Sequence, residues 1–150
     1  NCSNNYGPRQ HPEKLIPKII LNALKNKRIP IYGDGKNIRD WLYVQDHINA
    51  LIDISIKGNI GNTYCIGGEQ EIKNIDLAKI ICKKLDKLHK NNYKYEKLIE
   101  FVEDRAGHDH RYAVDTKKIR KYIQWKPIYN FEKGIDETIS WYIENQQIYQ

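Results

Sequence analysis

Residues 32–47 read YGDGKNIRDWLYVQDH, and this stretch constrains the fold more than any other. It follows a short apolar run, Ile29-Pro30-Ile31-Tyr32, which reads as a strand. Gly33 and Gly35 tolerate positive φ and let a ligand come close to the backbone. Arg39 is next, a planar donor fork suited to two parallel bonds with one phosphate. Trp41, Leu42, Tyr43 and Val44 form a second apolar run, and Asp46 falls near the start of a helix expected over 45–57. Strand, glycine loop, arginine, strand and helix in this order build an anion site on a rigid frame. A tight turn carrying a solvated arginine has the same local pattern, so the stretch alone leaves both readings open.

The flanking sequence completes an α/β pattern. Residues 1–8, NCSNNYGP, are polar, end in a Gly-Pro breaker and read as a loop rich in amide donors and acceptors. Pro12 suits a first helical turn, with Leu15, Ile16, Ile19, Ile20, Leu21 and Leu24 as its apolar stripe. Pro17 within that stripe would remove a hydrogen bond and clash with the preceding turn, so either the helix kinks or it begins near Leu15. Residues 63–66 and 71–73 are short β-rich runs, and Asn74 is placed to cap a helix over 75–88. A lysine-rich surface connection at 89–97 leads to a strand at 98–102. Residues 112–114 read as another strand, Asp115 as the cap of a helix through Ile123, and 131–146 as a final amphipathic helix.

Composition narrows the function classes. One hundred and fifty residues suffice for one domain with a sizeable core. No run approaches the ~18 apolar residues of a membrane span, so no membrane partner is expected. Twenty-five basic against nineteen acidic residues leave +6. The excess lysine is scattered, which suits a solvated surface or a small phosphate-bearing ligand better than nucleic acid. Cys2, Cys65 and Cys82 are odd in number and lack C-x-x-C spacing. That disfavours a disulfide framework or zinc site and predicts a reducing, cytoplasmic setting, with Cys65 and Cys82 as small core residues. The chain starts at Asn1, contains no methionine and shows no signal-peptide pattern, so a processed product or a piece of a longer protein is expected.

Residues 104–112, DRAGHDHRY, form a second unusual loop. Its histidines and aspartates lack a recognised metal spacing, whereas Arg105 and His108 are donors suited to phosphate and hydroxyl groups. A polar turn closed by internal salt bridges fits the residues equally well. No G-x-G-x-x-G follows a strand, because Ile38 stands where Gly33 and Gly35 would need a third glycine. Tyr-x-x-x-Lys occurs at Tyr32/Lys36, Tyr93/Lys97, Tyr122/Lys126 and Tyr129/Lys133. Chance supplies such pairs in a chain this rich in lysine and tyrosine, and none is given a catalytic role.

Taken together and in order, NCSNNYGP (1–8), PEKLIP (12–17), PIYG (30–33), IRDWLYV (38–44) and DRAGHD (104–109) resemble the dTDP-glucose 4,6-dehydratases, a branch of the extended short-chain dehydrogenase/reductase family. The resemblance covers essentially the whole chain but only the second half of such an enzyme. It implies an α/β C-terminal substrate-binding portion. Elements at about 38–64 and 116–138 would belong to a Rossmann domain whose N-terminal NAD-binding region is absent here. Helices 45–57 and 131–146 would then each be left with an exposed apolar face. The implied reaction uses NAD, held mainly by the missing half, to convert dTDP-glucose into dTDP-4-keto-6-deoxyglucose and water. The glycine loop, the true Tyr-x-x-x-Lys and the acid/base pair lie upstream in the family. No catalytic or metal residue is therefore expected in this chain, and alone it should be inactive.

The resemblance also implies roles. Asn4 would contact the substrate and Asn5 the nicotinamide side of the cofactor. Lys14, Leu15, Ile16, Pro17, Lys18 and Ile19 would border the sugar nucleotide, and Pro30, Ile31 and Tyr32 the thymine. Arg39, Asn74 and the loop Asp104, Arg105, Ala106, Gly107 and His108 would surround the diphosphate and nucleoside. Ala106 and the run Arg9-Gln10-His11 depart from the family pattern. A full-length homodimer acting on a dTDP-sugar, without nucleic-acid partners, completes the implied picture. A related nucleotide-sugar epimerase or decarboxylase is the enzyme alternative. A basic RNA-binding module is the non-enzymatic one, disfavoured by the lack of clustered arginine and stacking aromatics.

Overall fold

The computed structural model describes residues 1–89 and 91–149; Lys90, within the expected connection 89–97, lies outside them. The elements are β1 (Asn4–Tyr6), α1 (Leu15–Leu24), β2 (Ile29–Tyr32), β3 (Ile38–Tyr43), α2 (Val44–Lys57), β4 (Glu71–Lys73), α3 (Asn74–Leu88), β5 (Ile99–Val102), β6 (Arg111–Tyr112), α4 (Lys117–Ile123) and α5 (Phe131–Glu144), with 3-10 turns at Tyr95–Leu98 and Gln146–Tyr149.

Strand β3 is the centre of this α/β arrangement. Its C-terminal half pairs in parallel with β1, Asn4 opposite Trp41 and Tyr6 opposite Tyr43. Its N-terminal half is flanked by antiparallel β4 and parallel β6. Parallel β2 and β5 form a separate two-stranded sheet. Side chains alternate across a strand, so β3 presents Arg39, Trp41 and Tyr43 on one face and Ile38, Asp40 and Leu42 on the other. Both faces are covered. Trp41 and Tyr43 join a large core in which α1, α3 and α5 pack together through residues such as Ile16, Ile20, Leu77, Ile81, Ile135 and Ile139. Leu42 joins a smaller one with Ala50, Tyr64, Ile66, Ile119, Ile123 and Trp125.

Asp40 and Asp46 hold this frame through backbone amides. Asp40, buried, accepts from Gly68 N at 3.0 Å and Gln70 N at 2.7 Å. Asp46, also buried, accepts from Ile128 N at 3.0 Å and Tyr129 N at 2.9 Å, tying α2 to the segment that leads into α5. Gly68 lies so close to β3 that a Cβ there would sit 1.9 Å from the Trp41 carbonyl oxygen.

Several expectations change in three dimensions. The polar run 1–8 is not all loop, since β1 lies in it. The run 63–66 forms one isolated bridge, Cys2 to Ile66, rather than a strand. The connection 89–97 is not all surface, because Tyr95 is fully buried and its hydroxyl lies 2.7 Å from His89 Nδ1. Strand β6 ends at Tyr112 instead of continuing to Val114. Helix α1 begins at Leu15, which places Pro17 in its first turn, where the missing N–H does no harm. Cys82 is buried as expected, whereas Cys65 is only half-buried, and all three thiols are unpaired. Helix α2 does expose an apolar face, with Ile48, Leu51, Ile52 and Ile56 on the surface. Helix α5 does not: Phe131, Ile135, Ile139 and Tyr142 are buried against α1 and α3.

Two outcomes follow from this packing. Asp46→Ala leaves the amides of Ile128 and Tyr129 without their charged acceptor and should lower stability by about 2 kcal/mol in equilibrium denaturation. The 150-residue chain expressed alone should self-associate through α2, seen as a sedimentation coefficient that rises with concentration. Leu51→Lys should suppress that rise.

Candidate functional site

The turn after β2 gathers the site. Gly35 has φ +70°, and a Cβ there would come within 2.8 Å of Ile31 Cγ2 and Ile75 Cβ, so the turn demands glycine. Gly33 N donates to Val102 O at 2.9 Å, and Ile38 N to His110 O at 2.8 Å, which fastens the turn to β5 and to the loop 103–110. The carbonyls of Asn37 and Gly35 accept from Asn74 N and Ile75 N, each at 3.0 Å. Backbone groups thus satisfy the first amides of α3. Asn74 is the first residue of that helix and not its cap, which is Lys73. Its side-chain Oδ1 is buried and has no partner among the described residues.

Arg39 is 7% exposed. Its Nη1 donates to Ile38 O at 2.7 Å and its Nη2 to Asp109 O at 2.8 Å. A solvated pair with Asp34 or Asp40 is not what holds it: Asp34 binds Lys36 at 2.7 Å, and Asp40 faces the opposite side of β3. Burial lowers the pKa of the guanidinium, Asp109 opposes that shift and Arg105 adds to it. The group stays cationic because arginine ordinarily titrates far above neutrality. Two carbonyls therefore fix a buried cation that retains further N–H donors.

The loop 103–110 adds a second set of donors. His108 Nδ1 lies 2.7 Å from Asp104 Oδ1, with the imidazole side chain 6% exposed. The same carboxylate oxygen accepts from Arg105 N at 2.9 Å. The His108 bond, chiefly, holds the Asp104 carboxyl below the usual carboxylate range. The Tyr32 ring meets His108 edge-on, with centroids 6.2 Å apart.

These groups meet in one cleft of about 340 Å³. Asn4, Lys14, Leu15, Lys18, Pro30, Tyr32, Arg39, Asn74, Arg105 and His108 all line it. Ile16, Pro17, Ile19 and Ile31 do not; they are buried in the core behind it. Asp104 reaches the cleft through His108, while Ala106 and Gly107 lie in the exposed loop. Asn5 alternates with Asn4 on β1 and so faces away. Its Nδ2 donates to Ser3 O at 3.1 Å and to Cys2 Sγ at 3.3 Å. The Asn5 Oδ1 is buried without a partner among the described residues. Glu13 and Trp41 also line the cleft and were missed from sequence. The signal for Trp41 was its position two residues after Arg39 on the same strand face.

Lys14, Lys18, Arg39 and Arg105 outnumber the single acid Glu13, so the cleft suits an anion with hydrogen-bonding groups. A larger hollow of about 490 Å³ lies elsewhere, lined by Asp40, Glu69, Glu71, Asp115 and Arg111 among others. Its carboxylates would repel an anion, and Arg111 is already engaged by both oxygens of Glu71 at 2.7 Å. The Tyr-x-x-x-Lys pairs stay outside the site apart from Tyr32; Lys133, for instance, sits over the Tyr129 ring at 4.6 Å. Among the described residues no cluster of His, Cys, Asp or Glu is arranged to hold a metal, and no helix is long and apolar enough to cross a membrane.

Comparison with known proteins places this geometry in context. The model of the family described as GDP-mannose 4,6 dehydratase matches residues 1–138. A dTDP-glucose 4,6-dehydratase of Neisseria gonorrhoeae is 53% identical over 150 aligned residues, covering 97% of this chain and 43% of the relative. The chain thus spans less than half the length of the curated relatives it matches. The Bacillus anthracis dTDP-glucose 4,6-dehydratase, solved in complex with NAD, superposes with a TM-score of 0.88 at 46% identity, over 97% of this chain and 44% of that one. A Streptomyces venezuelae dTDP-glucose 4,6-dehydratase with NAD bound gives a TM-score of 0.88 at 39% identity, over 98% and 44% of the two chains.

Arg39 is the most heavily constrained cation of the cleft. In the full-length protein Arg39→Ala should weaken binding of a nucleoside diphosphate about ten- to a hundredfold and leave the phosphate-free nucleoside nearly unchanged in calorimetric titration. Arg39→Lys should restore only part of the loss, since one ammonium cannot make two parallel bonds.

Proposed function

Because the chain belongs to the GDP-mannose 4,6 dehydratase family, we propose that it is the C-terminal, substrate-binding part of a dTDP-glucose 4,6-dehydratase. The whole enzyme would convert dTDP-glucose to dTDP-4-keto-6-deoxyglucose and water. The observation that carries this reading is the convergence of Arg39, Arg105, Asn74 and Tyr32 on one cationic cleft, in a chain 53% identical to a dTDP-glucose 4,6-dehydratase.

The residues divide the ligand by chemistry. Arg39, fixed by two carbonyls, and Arg105 neutralise the diphosphate, with Lys14 and Lys18 adding charge at the same wall. Pro30 and the half-exposed Tyr32 ring, braced by His108, offer an apolar platform to the thymine. Asn4, on β1, lies opposite Trp41 of β3 and reaches the hexose. Holding both ends of the nucleotide makes reaction at the hexose effectively intramolecular.

NAD, when bound, supplies the hydride acceptor and donor of the reaction. Asn5 is the residue of this chain that fits it, because its buried, unpaired Oδ1 needs an N–H donor such as a carboxamide. The acid/base groups come from the remainder of the protein. The homodimer and the cytoplasmic location implied by the family belong to the same proposal, and three unpaired cysteines suit a reducing compartment.

The test supplies the full-length protein with NAD and dTDP-glucose and follows the 4-keto product. Formation of that product, with dTDP bound more tightly than UDP, is the expected result. Preference for UDP with no dehydration would instead favour an epimerase or decarboxylase. The 150-residue chain alone should yield no product above a no-protein control.

A further inference from the structure

Strand β3 carries one more group toward the cleft. Trp41 is 4% exposed and lines the cleft beside Arg39, yet its indole Nε1 is buried with no acceptor among the described residues. A buried indole N–H ordinarily finds a partner, because it has given up its hydrogen bond to water. Resting on the nucleotide-sugar reading above, we infer that the Trp41 indole N–H donates to an oxygen at the hexosyl-diphosphate end of the bound nucleotide-sugar.

Position selects that end of the ligand. Trp41 follows Arg39 by two residues on the same face of β3, and its register partner on β1 is Asn4. It therefore stands between the cation assigned to the diphosphate and the amide assigned to the hexose. The thymine platform, Pro30 and Tyr32, is on β2 in the other sheet.

The donor is also held in place. Trp41 N donates to Gln70 O at 3.1 Å, and Gly68 packs directly on the Trp41 carbonyl. The Tyr6 ring braces the indole in a T-shaped contact, centroids 6.3 Å apart. Asn74 Oδ1, an acceptor on the same cleft, is likewise unpaired. One orphan donor and one orphan acceptor on residues that line a single cleft match a ligand that carries both phosphate oxygens and hydroxyl groups.

Trp41→Phe keeps most of the aromatic body and removes the N–H. In the full-length protein it should weaken dTDP-glucose binding about five- to thirtyfold and leave dTMP within about twofold. In a nitrogen–proton correlation spectrum, the Trp41 indole resonance, assigned by its loss in Trp41→Phe or Trp41→Tyr, should move downfield with dTDP-glucose and stay in place with dTMP. A loss shared by dTDP locates the acceptor on the diphosphate, and a loss confined to dTDP-glucose locates it on the hexose; either supports the inference. Equal losses for dTMP and dTDP-glucose, or unchanged affinity with an unmoved resonance, would overturn it and leave Trp41 a packing residue. Wild-type protein that prefers uridine nucleotides would be read with UMP and UDP-glucose in the same way. Wild-type protein that binds neither sugar nucleotide would refute the functional reading itself, and the inference with it.

Discussion

The structure depends on burying β3 on both of its faces while two adjacent residues of that strand are charged. Arg39 and Asp40 are 7% and 2% exposed and point to opposite sides, so they cannot neutralise each other. Each is satisfied instead by backbone: Arg39 by the carbonyls of Ile38 and Asp109, Asp40 by the amides of Gly68 and Gln70. An unpaired buried charge is far costlier than a hydrogen-bonded one. The loops at 67–70 and 103–110 are consequently pinned to the strand by the charges they satisfy. The Asp40 side is structural. The Arg39 side retains unused donors and opens on the cleft.

Rigid backbone, more than side-chain pairing, shapes the cleft. Helix α3 starts on the carbonyls of Gly35 and Asn37, and Asn74, as its first residue, does not cap it. β2 and β5 pair in parallel and bring Tyr32 beside His108 across more than seventy residues of sequence. A cleft built in this way spends little conformational entropy when a ligand binds, because its donors are already oriented. The orphan atoms of Trp41, Asn74 and Asn5 lie in the regions proposed to meet substrate and cofactor. Buried polar atoms without partners are uncommon in native proteins; among the described residues Ser3 Oγ and Gln10 Oε1 share that state without lining the cleft.

Much of this could be read along the chain, and the failures have specific causes. The strand at 29–32 and the span of α3 followed from apolar periodicity, and of the two outcomes that proline sterics left for α1, a kink or a start near Leu15, the structure has the second. The Asn74 cap failed because the helix begins one residue earlier, at Asn74 itself, where carbonyls from far upstream accept its first amides, which local propensity does not register. The buried Tyr95 failed because lysines on either side gave its segment a solvated look. Helix α5 was expected to expose an apolar face, yet α1 and α3 cover it.

By itself the sequence determined most of the element types, the need for glycine in the turn at 33–35 and the candidacy of Arg39, Arg105 and His108. These are local matters of backbone sterics, side-chain period and donor chemistry, all written within a few residues of each other. Tertiary structure alone decided which candidates share a cleft, that Ile16, Pro17, Ile19 and Ile31 sit behind it, and that Trp41 belongs on its wall. Those outcomes depend on which strands pair and in what register, and a single-residue shift of β3 against β1 would turn Arg39 and Trp41 away from the site. Pairing free energy comes from contacts between residues far apart in the chain, so no window of sequence contains it.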